Sequence, residues 1–156
     1  MNRIVLVAAI VLGLAALLFV SSRRQAEIAR GLPPRVVCTS QGEALTQAGA
    51  GAVPVLGTGS MAPYIPAALP GLNPRSTVVA YAVMDRAATF QGITTGALVI
   101  YVPAWASGGH VMHQAALHDS GGWIMSGLHN ERSETWERVT TAKYVGTVAR
   151  VYTWTQ

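Results

Sequence analysis

The chain has 156 residues, 51% of them hydrophobic and 12% charged, with a formal net charge of +4 at neutral pH; that length holds one domain of ordinary size and an appendage. The excess charge lies within residues 1–30, where Arg3, Arg23, Arg24 and Arg30 stand against Glu27, while residues 31–156 carry seven basic and six acidic side chains. This distribution argues against a nucleic-acid groove and places the positive charge where it would meet lipid head groups.

The first predicted element is the run IVLVAAIVLGLAALLFV from Ile4 to Val20, sixteen apolar residues and one glycine, closed by Ser21, Ser22, Arg23 and Arg24. About 20 apolar residues cross ~30 Å of hydrocarbon and polar flanks absorb a small shortfall, so residues 1–30 read as a membrane anchor with a juxtamembrane extension. A cleaved signal peptide is the competing reading, but its apolar centre is usually about 7–15 residues long and an A-x-A-like site should follow. No such pattern follows Val20. The arginines on the two flanks differ in number by little, and by count alone they lean towards a cytoplasmic domain.

Gly31 and the Pro33-Pro34 pair end any helix that continues through Gln25 to Arg30. Residues 31–52 read as a linker with a first strand region. Within it QGEALTQAGAG, Gln41 to Gly51, is small and flexible in composition and is expected to be a loop. Cys38, the single cysteine, has no intrachain partner and is expected to be a small buried thiol.

Residues 53–156 form the expected domain. It opens with GTGSMAP, residues 57–63, and an irregular stretch from Ala62 to Arg75 with prolines at 63, 66, 70 and 74. STVVAYAV (76–83), GALVIYVP (96–103), VMHQAALH (111–118), GWIMSG (122–127) and YVGTVARVYTW (144–154) are β-branched or aromatic runs separated by glycine, proline or charged turns. Five such strands predict a mainly β domain, a partly open barrel or packed sheets.

Ser60 in GTGSMAP becomes a nucleophile only if a neighbouring base takes its proton; otherwise it is a polar turn residue. The chain offers one lysine, Lys143, and four histidines, His110, His113, His118 and His129. If residues 110–119 are extended, His110 and His118 share one face and His113 and Asp119 the other. His113 lies mid-strand, where packing can fix its ring; its bland reading is a strand histidine bonded to a backbone carbonyl. The histidines and Asp119 lack a zinc spacing such as H-E-x-x-H, so no metal or cofactor is expected.

Gly59-Ser60-Met61 followed by Pro63 resembles the nucleophile box of type I signal peptidases, membrane-anchored serine proteases with a serine-methionine-x-proline element after an N-terminal anchor. GALVIYVP is similar to that family's G-D-x-V-V-Y strand, HVMHQ to its second catalytic box, GGWIMSGLHNERSE to its G-D-N-N-x-x-x-D segment and YVGTVARV to its closing I-V-G-K-V strand. The elements occur in family order over roughly residues 55 to 151. A histidine at the second box resembles the serine-histidine branch found in endoplasmic-reticulum and archaeal members. The sequence departs from the pattern at Gln114, usually arginine, Ala97, usually aspartate, and Leu128, where the G-D-N-N aspartate falls.

The resemblance implies Ser60 as nucleophile and His113 as base, with Ser60 N–H and the Thr58 hydroxyl as oxyanion donors. It points to Glu134 as the acid orienting His113, with Asp119 as the local alternative. Glu134 also lies in ERSETWER, which reads by itself as a solvated turn, and threonine suits an extended position without any function. Met61, Tyr64, Ile65 and Leu69, with Trp105 in a loop, are either core or residues that dip into the lipid interface. The implied activity is cleavage of signal peptides or similar segments of exported preproteins after small residues, through an acyl-enzyme, on the translocated side of a bilayer. The alternative is a catalytically inactive membrane-tethered β-domain that binds or scaffolds. Partner subunits are left open by either reading.

Overall fold

The computed structural model describes residues 31–105, 109–129 and 134–155, apart from the side chains of 134–136. The expected anchor at Ile4–Val20 lies outside the described residues, and among those residues no helix is long and apolar enough to cross a membrane.

The fold is mainly β. Eight strands, β1 (Arg35–Cys38), β2 (Val53–Leu56), β3 (Val78–Met84), β4 (Leu98–Tyr101), β5 (Val111–Asp119), β6 (Gly122–Ser126), β7 (Glu134–Val139) and β8 (Tyr144–Trp154), form one sheet. Its order is β2-β3-β8-β4-β5-β6-β7, with β1 also on β8. The β1–β8 pair is parallel and the others are antiparallel.

The long β8 joins two halves of this sheet. Tyr144–Thr147 pair with β4, whereas Val148–Thr153 pair with β3. Register shifts at Val83/Met84 and Ile100/Tyr101 flank the changeover. An extra residue on one strand bends and twists its ladder, so the sheet turns where β8 changes partner. Gly146 sits at that turn, and a Cβ there would lie 2.6 Å from Met84 Sδ.

The four residues of β4 are all buried, which is why LVIY shows no polar alternation. Leu98 and Ile100 join one cluster with Val79, Met61 and Ile65; Val99 and Tyr101 join a second with Ala115, Met125 and Val139. A third cluster, Cys38, Ala44, Tyr81 and Tyr152, packs beneath a helix. Cys38 is buried as expected, and burial together with Glu43 pushes its thiol pKa up.

Two expectations are corrected. Gln41–Ala48, read as a loop, is a helix, α1. Its start is a local signal, Ser40-x-x-Glu43: Ser40 Oγ accepts from Glu43 N at 3.2 Å while the Glu43 carboxylate accepts from Thr39 N at 2.7 Å. Hydrogen bonds from the Thr39 hydroxyl and the Thr39 N–H hold the Glu43 carboxyl below its ordinary pKa. Gly49, at φ 81, ends the helix with its N–H on Leu45 O. The second correction is β7: part of ERSETWER is a strand, and the fully buried Val139 and the 7% exposed Glu137 tie it to the core. Glu137 Oε1 accepts from Lys143 Nζ at 2.8 Å and from Ala104 N at 2.6 Å, so a charged sequence becomes an edge strand with its buried carboxylate paired.

Candidate active site

The serine loop is held at both ends. Directly after β2, Gly57 N donates to Thr77 O and Gly57 O accepts from Ala68 N, each at 2.9 Å. Gly59 at φ 84 then adopts a backbone that residues with a Cβ rarely reach, and Ala62 N closes onto Gly59 O at 3.0 Å. Met61 and Ile65, 4% and 2% exposed, are core residues and pin the far side of the loop, while Leu69 and Trp105 are exposed. Ser60 stays half-buried with its carbonyl accepting from His129 N at 2.9 Å.

The following turn is clamped to the start of β1 and the chain just ahead of it. Arg35 Nη1 donates to Pro63 O and Tyr64 O at 3.2 and 2.6 Å, and the Tyr64 hydroxyl donates to Pro33 O at 2.6 Å. Burial pushes the Tyr64 hydroxyl pKa up to about 12, against a lowering pull from Arg35.

His113 lies in β5 opposite Val99 and is 5% exposed. Its Nε2 is 3.3 Å from Ser60 Oγ, joining residues 53 apart in sequence. That is slightly longer than the ~2.6–3.2 Å of a tight contact, as is common for such pairs without substrate. Nδ1 is 3.2 Å from the Tyr101 hydroxyl of β4. The Thr58 hydroxyl is 3.4 Å from Ser60 Oγ, on the exposed side.

These groups open into a cavity of about 990 Å³ walled by Val53–Leu56 of β2 and edged by Arg75, Trp105 and His110. As one of the two terminal strands of the sheet, β2 presents an edge without a strand partner among the described residues. The site thus combines a hydroxyl, an imidazole, a second hydroxyl and an extended backbone edge.

Of the other expected residues, Glu134 opens β7 in register with Met125, and its side chain lies outside the described residues. Asp119 is six residues from His113, roughly 20 Å along an extended strand. It is bound to Arg138 Nε at 2.9 Å and to Gly121 N at 2.8 Å. The structure therefore does not bring Asp119 to His113. Lys143 is held by Glu137 and by Arg138 O. His110 is exposed on the cavity rim, and His118 stacks edge-on against Trp123 at 5.1 Å. Among the described residues no cluster of three metal-ligating side chains occurs.

The three departures from the signal-peptidase pattern have structural occupations. Ala97 packs in the Val99–Tyr101 cluster, Leu128 packs against the Met61–Ile65 cluster, and buried Gln114 donates from Nε2 to Gly96 O at 2.8 Å. Tyr101 is the site residue that sequence reasoning missed. Its signal was faint: it is the last residue of LVIY, two beyond the Val99 that faces His113.

Comparison with protein-family models, curated proteins and solved structures returned no match.

Proposed function

We propose that this protein is a membrane-anchored serine endopeptidase of the signal-peptidase type, held by the Ile4–Val20 segment and acting on the translocated side of the bilayer. The supporting observation is the 3.3 Å approach of His113 Nε2 to Ser60 Oγ in a cleft walled by a sheet edge. A structural histidine would not need a serine hydroxyl opposite its outer nitrogen.

A substrate segment lies extended along β2, where backbone hydrogen bonds hold it without demanding particular side chains. Ser60 Oγ attacks the scissile carbonyl carbon as its proton passes to His113 Nε2. The oxyanion forms within reach of the Thr58 hydroxyl and the Ser60 N–H, fixed dipoles that stabilise charge as it develops. The tetrahedral intermediate collapses with cleavage of the C–N bond, and His113 protonates the departing amine. Water, deprotonated by the same imidazole, then hydrolyses the ester. Cleavage after small residues and preprotein substrates are carried by the resemblance of the five sequence elements.

The test is cleavage of a preprotein by the full chain in lipid vesicles. Ser60→Ala and His113→Ala should each lower kcat by about 10³-fold or more, since members of such a unit fail together. Wild-type rates in Ser60→Ala would end the protease reading. No cleavage by the wild type, with preprotein still bound in the cleft, would favour the binding-module alternative.

A further inference from the structure

An imidazole that is to take a proton from Ser60 must present a lone pair at Nε2, so the single proton of the neutral ring has to sit on Nδ1. Among the described residues the Tyr101 hydroxyl lies 3.2 Å from Nδ1. A phenolic oxygen can accept as well as donate. If it donated to Nδ1, Nε2 would carry the ring proton and point it at Ser60, and the ring would be no base.

Tyr101 is well placed to settle this choice. It is 1% exposed and sits in β4 between β5 and β8, with its ring in the cluster of Val99, Ala115 and Met125. Neither its backbone nor its ring can move without disturbing that cluster. His113 is itself 5% exposed, so the two groups meet where little water competes for Nδ1.

We propose that Tyr101 is a positioning residue of this site: its hydroxyl oxygen accepts the Nδ1 proton of His113, favouring the tautomer and ring orientation that aim the Nε2 lone pair at Ser60. This rests on the reading of Ser60 and His113 as nucleophile and base. In the attack the Ser60 proton moves to Nε2, the ring becomes an imidazolium with both nitrogens protonated, and Tyr101 keeps its own proton. The Nδ1–H···Oη bond then strengthens because its donor is charged. When Nε2 passes its proton to the leaving amine, the ring returns to the tautomer that Tyr101 holds.

The experiment uses the full chain in detergent micelles with ¹⁵N-labelled histidine, the His113 signals being assigned by their loss in His113→Gln. In the wild type and in Ser60→Ala, His113 should be protonated at Nδ1 and bare at Nε2 when neutral. In Tyr101→Phe a substantial Nε2–H population should appear, and kcat for preprotein cleavage should fall about tenfold or more with KM within about twofold, the pattern of an interaction used in the transition state. A wild-type ring protonated at Nε2, or a Tyr101→Phe enzyme with wild-type kcat, would overturn the assignment. If Tyr101→Phe does not fold, as read by its melting transition, the wild-type tautomer decides. If the wild type cleaves nothing, the protease reading fails by itself, and the tautomer still tests the role of Tyr101.

Discussion

A methyl group at Gly57 would lie 2.5 Å from Ala68 N and 2.7 Å from Val79 Cγ1. The first of these is backbone and the second a core side chain, so neither can swing aside. Gly57→Ala should therefore lower stability by about 1–3 kcal/mol, the usual range for overpacking, and lower kcat by displacing Ser60. Gly42→Ala is the control. Its added Cβ meets nothing closer than Ser40 Oγ at 4.0 Å, and alanine in a helix gains about 0.5–1 kcal/mol over glycine. Urea melts of the two variants beside cleavage rates check both. At this scale the candidate nucleophile and base were legible, because residue type and chain order carry them. Tyr101 was not, since its place opposite Nδ1 depends on which residue of β4 faces which of β5.

Helix α1 depends on a cap that one atom supplies. Ser40→Ala removes the acceptor for Glu43 N and should cost about 1 kcal/mol, read as a lower urea midpoint at an unchanged slope. The β5–β6 hairpin carries a charge-dependent tie. Hydrogen bonding to Arg138, with Gly121 N–H and the Arg138 charge, holds the Asp119 carboxyl below its ordinary pKa. A carboxyl depressed in the fold adds stability that is complete above the unfolded value of ~3.9 and lost as pH falls through the lower folded value. Asp119→Asn should thus be less stable than wild type at neutral pH and converge on it at the acid end, in urea midpoints measured between about pH 2 and 7. Among the elements, β3, β4, β5, β6 and β8 followed from periodicity and turn residues. Reading β7 as a turn overlooked that Lys143 neutralises Glu137 only once the chain turns back at Thr140–Tyr144.

For the whole molecule, the cleft has an electrical sign. Arg75 edges the cavity, and among the described residues no carboxylate lines it. A charge pair about 4 Å apart is worth ~1 kcal/mol in water, so peptides with an acidic residue beside Arg75 should be cleaved a few-fold faster than their lysine counterparts. Arg75→Glu should reverse the order, and about 0.5 M salt should flatten it in both, because exposed charges are screened over a few ångströms at that strength. Paired kcat/KM values on the two peptides decide this.

Local sequence pattern suffices for the β character of residues 76–154, the hydrophobic run ahead of them, and the short list of side chains able to do chemistry. Each of these depends on residues close together in the chain: alternation, turn formers and the order of a few motifs. Only the packed fold brings the candidate base His113 to 3.3 Å from Ser60 Oγ and sets a tyrosine hydroxyl against its far nitrogen. Those outcomes depend on strand register and on two bulges where β8 changes partner. A one-residue slip turns every side chain of a strand to the opposite face, and no local pattern records which slip the packed core excludes.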